Sequence, residues 1–252
     1  LGFIRRTDIL KLYPEISYTF WPEDSKLINH GLEITPVYIL KPSINNEISD
    51  YYIISRWDAV FRNSSRIDLT MWNRYTYLYE SFDPTGSETG DSLPANSEYY
   101  YTNFDFSFDS NDSKDFTYKI NPSFGKFYNG NKVSLDLELG QKIRPKFTGS
   151  IEMKYDRVDL PKPYSSARIL LIAPRIDFTF SKNVYWATLV QYSNQNDNLS
   201  FNTRLQWRFA PLSDLFLVYN DNYYTENRYD SIFIPRVKNR SINLKLTYWL
   251  DI

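Results

Sequence analysis

The sequence predicts an all-β fold, an antiparallel transmembrane β-barrel, and three observations carry that expectation. The first is Leu199–Phe209, where Leu199, Phe201, Thr203, Leu205, Trp207 and Phe209 alternate with Ser200, Asn202, Arg204, Gln206 and Arg208. A period of two marks a strand with one apolar and one polar face. Eleven residues is also about the length that a tilted strand needs to cross a bilayer. The second observation is that this unit recurs along the chain. The third is that the connections between units are short and long in near alternation, as in barrels with short periplasmic turns and long extracellular loops.

Taken in order, the expected strands are Leu12–Pro22, Ile28–Leu40, Tyr51–Arg62, Ser65–Tyr79, Tyr99–Asp109, Asp115–Tyr128 and Asn131–Ile143. Lys146–Arg157, Arg168–Ser181, Val184–Gln195, Leu199–Phe209, Asp214–Tyr224 and Arg240–Leu250 follow, which makes thirteen. No linker or shift in composition divides them, so residues 1–252 read as a single domain. Short connections at Pro22–Leu27, Asn63–Ser64, Ser110–Lys114, Arg144–Pro145, Lys182–Asn183 and Ala210–Ser213 alternate with long ones at Lys41–Asp50, Asp83–Glu98, Asp159–Ser166 and Thr225–Asn239. Asn129–Gly130 and Asn196–Asn198 are the exceptions, being short in long-loop positions. With short turns periplasmic, the first and last strands run the same way. Bacterial single-chain barrels have even strand counts. The expectation is therefore that this is the C-terminal part of a longer barrel of 14 or 16 strands, or that another chain supplies a strand.

Composition narrows the class further. Aromatic residues make up 18%, with 22 Tyr and 17 Phe, while mean hydropathy is −0.50. Low hydropathy suits a barrel whose alternate residues face a polar interior. The longest apolar runs, such as Ile169–Ala173 and Leu215–Tyr219, are too short for a spanning helix. Net charge is −1, so nothing resembles the electrostatic footprint of a nucleic-acid binder. There are no cysteines, which removes disulfides and thiolate metal sites.

Two hairpins can be registered from sequence. Asn129-Gly130 is a type I′ turn signal. Pairing Tyr128 with Asn131 sets Phe124 opposite Leu135, Pro122 opposite Leu137, Ile120 opposite Leu139, Ser123 opposite Asp136 and Asn121 opposite Glu138. A turn at Arg144–Lys146 then sets Leu137 beside Met153, Leu139 beside Ile151, Asp136 beside Lys154 and Glu138 beside Glu152. Faces match on both sides, as they would not after a slip of one residue. Leu135, Leu137, Ile151, Met153, Phe201, Leu205 and Trp207 are expected to face lipid. Asp136, Glu138, Glu152, Lys154, Arg175, Asp177, Arg204 and Arg208 are expected to line the interior. Pro36, Pro122 and Pro174 fall inside expected strands, where each removes a ladder donor.

Gly2-Phe3-Ile4-Arg5-Arg6-Thr7-Asp8, the stretch Leu205–Asn220 and the stretch Arg240–Tyr248 together resemble the C-terminal barrel of a Bacteroidota envelope family of unassigned function. Members typically carry an N-terminal carbohydrate-binding-like β-sandwich, which this sequence lacks. The resemblance implies an outer-membrane location and transfers no catalytic residue.

Candidate chemistry is sparse. His30 is the sole histidine, on the face of Ile28, Leu32 and Ile34. It reads as an interface residue, with a general base of an outer-membrane hydrolase as the alternative, though no Gly-x-Ser-x-Gly motif accompanies it. Glu138 and Glu152 read as solvated carboxylates, with an acid-catalytic pair as the alternative. Asp83, Glu88 and Asp91 lie among glycines and form a weak calcium candidate. Tyr75, Tyr77, Tyr79, Tyr99, Tyr100, Tyr101, Tyr223, Tyr224 and Tyr229 flank long loops and read as an aromatic girdle, with sugar stacking as the alternative. The expected function is a pore or a membrane anchor within an envelope assembly, without chemistry or cofactor of its own. Expected partners are outer-membrane lipid and other envelope proteins. An outer-membrane hydrolase and a soluble glycan-binding β-protein are the competing readings.

Overall fold

The computed structural model describes residues 8–86, 91–225 and 236–250. Among them the chain is all-β, with one short 3-10 turn at Pro42–Ile44. The strands are β1 (Leu10–Leu12), β2 (Ile16–Phe20), β3 (Leu27–Lys41), β4 (Glu47–Phe61), β5 (Arg66–Leu78), β6 (Ser97–Asp109) and β7 (Phe116–Phe127). They continue with β8 (Gly130–Ile143), β9 (Phe147–Asp159), β10 (Ala167–Ser181), β11 (Val184–Ser193), β12 (Asn198–Ala210), β13 (Ser213–Tyr224) and β14 (Arg236–Thr247). All fourteen belong to one antiparallel sheet in which sequence neighbours pair, except that β1 and β2 both pair β3.

That exception has a physical cause. Leu10 pairs Leu40, Leu12 pairs Tyr38, and Ile16 pairs Ile34, all in one register. The same register brings Pro14 opposite Pro36. Neither residue has an N–H to donate, so the ladder opens there and one strand becomes two. The sheet thus has thirteen positions for its fourteen strands. The expected thirteen stand, with the first shifted from Leu12–Pro22 to Leu10–Phe20 and broken in the middle. Pro174 acts similarly, because the β10–β11 ladder pairs Ile172 with Tyr192 and then Arg175 with Leu189, skipping Ala173 and Pro174. The last strand begins at Arg236, four residues before the expected start, where Val237 pairs Tyr223 and Asn239 pairs Asn222 across a bulge. Among the described residues, β14 pairs β13 alone and the sheet is not closed.

The β7–β8 hairpin corrects the expected register by two residues. Lys142 N–H donates to the Asp115 carbonyl at 2.7 Å, and the Lys119 ammonium lies 3.8 Å from Glu138. Counting from these pairs, Phe127 comes opposite Gly130, and the turn is Tyr128–Asn129 rather than Asn129–Gly130. Tyr128 takes a positive φ of 51°. Its ring packs on Tyr99 at 5.4 Å, Tyr101 at 5.4 Å and Phe82 at 5.7 Å. Gly130 serves a close approach instead, since a Cβ there would lie 2.2 Å from the Asp159 carbonyl. A shift of two keeps every side chain on its face, so the alternation between the two faces is unchanged. At the next turn β8 ends at Ile143, as expected, β9 starts at Phe147, one residue after the expected Lys146, and Ser134 hydrogen-bonds Asp156.

Gly125 in β7 is also forced by space. Its φ is +149°, and a Cβ would meet the Asn103 Cα at 2.5 Å. Gly125→Ala is expected to destabilise by about 1–3 kcal/mol through this overpacking. Denaturant unfolding would check it, and an unchanged midpoint would contradict the close contact.

The chain divides into two compact units. One comprises Leu1–Asn111, Ile120–Leu135 and Asp156–Arg168; the other comprises Asp112–Lys119, Asp136–Tyr155 and Ile169–Ile252. In the first unit, Thr35, Val37, Leu93, Val158 and Leu160 are buried. The β5–β6 connection is pinned by backbone pairing. Phe82 and Leu93 exchange backbone hydrogen bonds at 3.0 and 2.8 Å, Asp91 bridges Tyr164, and Leu93 has no exposed surface.

Candidate lipid-facing band

Pairing carries the alternation of each strand across its neighbours. In the first unit, Leu32 pairs Trp57, Trp57 pairs Leu69, and Leu69 pairs Phe106. The next row holds Ile34, Ser55, Met71 and Phe104, with Phe104 stacked on Phe124 at 5.7 Å. Ser55 is the small member, and a shallow apolar groove of about 480 Å³ forms around it. Leu32 and Ile34 stand 54% and 55% exposed. In the second unit, Trp186 pairs Leu205, Leu205 pairs Leu217, and Leu217 pairs Leu244. Phe201 meets Tyr219 at 6.1 Å, and Trp207 meets Phe209 at 5.8 Å. Rows of this kind fill one face of each unit with exposed hydrophobic side chains.

Aromatic residues border the band. Tyr38, Tyr51, Tyr75 and Tyr100 form a row across β3 to β6, with successive rings 6.0, 5.2 and 4.8 Å apart. Toward the other end, Phe20 stacks on His30 at 5.0 Å, and His30 lies 6.3 Å from Trp57. Along β4, Tyr51 and Trp57 are six residues apart, which is about 20 Å.

The expected girdle therefore needs correction in its membership. Tyr75, Tyr77 and Tyr100 lie on the apolar face, but Tyr99 and Tyr101 alternate to the polar face, where they pack on Tyr128. Tyr79 lies past the end of β5, under the Lys41 ammonium at 4.0 Å. Burial, and then the charge of Glu47, push its phenol pKa up. Tyr224 pairs Asn198 and Arg236 on the polar face, whereas Tyr223 is on the apolar face; Tyr229 lies outside the described residues.

One buried carboxylate escaped the sequence reading. Asp221 sits on the apolar face with 1% of its surface exposed. Its Oδ2 accepts from Arg240 Nη2 at 2.6 Å, Arg240 Nε at 2.9 Å and Tyr219 OH at 2.6 Å, and also from Tyr223. The spacing Tyr219-x-Asp221-x-Tyr223 was the available signal, because it puts an acid between two phenols on one face.

The polar face gathers the residues expected to line an interior. Arg175 donates to Asp177 at 2.8 Å, and Tyr185 also donates to Asp177. Arg204 shares a row with Ala187 and Asp177, and Arg208 bonds Asp214 at 3.2 Å. Asp136 and Ser134 share the polar face of β8 with Glu138, and Leu135 and Leu137 take the opposite one. Ile151 and Met153 likewise alternate with Glu152 and Lys154. Glu138 and Glu152 do not form an isolated carboxylate pair, since each has its own lysine: Lys119 at 3.8 Å and Lys154 at 3.1 Å. Half-exposed ion pairs of this kind are worth at most about 1 kcal/mol.

The remaining candidates have the following surroundings. His30 Nδ1 is buried with no hydrogen-bond partner among the described residues. A histidine acting as general base is normally oriented by such a partner. His30→Phe should keep the stack on Phe20 and remove an unsatisfied polar atom, so stability is expected to change by less than about 0.5 kcal/mol or to rise. Thermal unfolding reads this directly, and a large loss would reveal a polar role. Asp83 accepts from the Thr85 N–H at 2.8 Å and from its hydroxyl at 2.6 Å, a local turn. Glu88 lies outside the described residues, and no group of three possible metal ligands occurs among the others.

Comparison with protein-family models, curated proteins and solved structures gives no match.

Proposed function

We propose that this chain is a β-barrel domain of an outer membrane, serving as the membrane anchor or barrel subunit of an envelope assembly. One observation carries this reading: an apolar face of large exposed side chains, bordered by aromatic rows, set against a polar face of ion pairs. In water such a face would drive aggregation. Against hydrocarbon it is the lower-energy surface, and only a closed sheet satisfies the backbone there. With thirteen sheet positions among the described residues, antiparallel closure takes an odd number of strands beyond these. An envelope family like the one the sequence resembles is a compatible home.

The anchor is favoured over an open pore by the β5–β6 connection, whose Phe82 packs on Tyr128, which itself packs on Tyr99 and Tyr101 of the polar face. Chain folded onto the polar face hinders conduction. The chain is expected to require detergent for extraction, to float with lipid vesicles, and to leave planar bilayers electrically silent. Steady unitary conductance would move the reading to a pore. Extraction in plain buffer as a monodisperse protein would replace it with a soluble glycan-binding β-protein.

A further inference from the structure

We infer that the first unit holds a binding site for a small anion, a carboxylate or phosphate group, on its polar face around Gly125. A cavity of about 280 Å³ lies there, lined by Arg74, Tyr101, Asn103, Asp105, Ser123 and Lys132 among others. Its origin lies in the register. Arg74 pairs Tyr101 and Trp72 pairs Asn103, while Asn103 lies against Gly125. The β7–β8 register sets Gly125 opposite Lys132. Gly125 has no side chain to fill that row, and its contact with Asn103 prevents one from being added. The void is therefore a consequence of strand packing.

Charge gives the void its preference. The Arg74 guanidinium stacks over Trp72 at 4.3 Å and lies 5.9 Å from the Tyr52 ring. It has no acid partner among the described residues, and its Nε is buried without a hydrogen bond. Asp105, the nearest acid in the lining, is already engaged by Trp72 Nε1 at 2.6 Å and Asn103 Nδ2 at 3.3 Å. Lys126 and Lys132 add two further cations, the latter beside Phe127 and 3.2 Å from Asp156. A guanidinium lying over an aromatic ring is partly pre-oriented, which lowers the side-chain entropy lost when it binds an oxyanion. The Ser123 hydroxyl has no described partner and supplies a further donor. The cavity is at the small end of ligand sites, which suits inorganic phosphate or one sugar acid. This inference needs the polar face alone and does not rest on a membrane location.

The test is calorimetric titration of the purified chain in detergent with inorganic phosphate, glucuronate and, as a neutral control, glucose. Binding of phosphate or glucuronate without glucose is expected. Affinity should fall at least tenfold in Arg74→Gln and less in Lys132→Gln, while Arg62→Gln, near a short turn, matches wild type. Circular dichroism confirms that each variant remains folded. Equal binding of glucose, no binding of either anion by the folded wild type, or an Arg74→Gln variant with unchanged affinity would each overturn the site. Because the readout is soluble-ligand binding, it is decided separately from vesicle flotation and conductance.

Discussion

Leu205→Arg is expected to destabilise the folded protein by about 2–4 kcal/mol in lipid vesicles, the cost of an arginine at the midplane of a barrel's lipid face. Leu205 lies mid-strand between Trp186 and Leu217, and 39% of its surface is exposed. In a water-soluble protein a half-exposed leucine would tolerate arginine within about 0.5 kcal/mol. The substitution therefore tests the solvent that the band meets, as well as the fold. Ser200→Arg provides the contrast: Ser200 pairs Gln191 and Asn222 on the polar face and should cost far less. Denaturant titration of both variants in vesicles decides the matter. Equal losses would mean that both faces meet the same medium, and the membrane reading would fail.

Leu93→Ala should cost about 2–4 kcal/mol, in the range for emptying a fully buried leucine site. The loss should be local. Leu93 fastens the β5–β6 connection through its bridge to Phe82, and the β5–β6 ladder itself does not depend on it. Limited proteolysis is expected to cut between residues 79 and 96 much faster in the variant, while amides of β5 and β6 keep their protection from exchange. Leu212→Ala, at a turn with 64% of its side chain exposed, should change nothing measurable. If the two variants behave alike, Leu93 does not hold the connection in place.

Strand number and faces were legible in the sequence because both follow from a local period of two. Leu199 to Phe209 alternate without interruption, and a strand of that length can bury or expose its apolar side chains only as a set. Interruptions were legible in part: Pro36 and Pro174 were recognised as lost donors. That Pro36 would meet Pro14, and so split the first strand, depended on the pairing of two segments. Turn chemistry misled once. Asn129-Gly130 is a strong local signal, yet Gly130 was needed against the Asp159 carbonyl, and the aromatic packing of Tyr128 moved the turn by one residue. A non-local contact outweighed a propensity there.

The site residues divide along the same line. Which side chains share a face was determined by sequence, and Arg175, Asp177, Arg204 and Arg208 share the polar one. Which atoms bond depended on cross-strand offsets that no single segment contains. Glu138 has Lys119 beside it, and Asp221 has Arg240. The void at Gly125 required three strands in register and the close approach of Asn103. By itself, the sequence determined an all-β chain with one apolar and one polar face. The tertiary structure alone decided the offsets, the burial of Val37 and the position of Arg74, which has no acid partner among the described residues. The physical reason is that alternation is a property of one strand's backbone, whereas register, burial and ion pairing are set by the strands beside it.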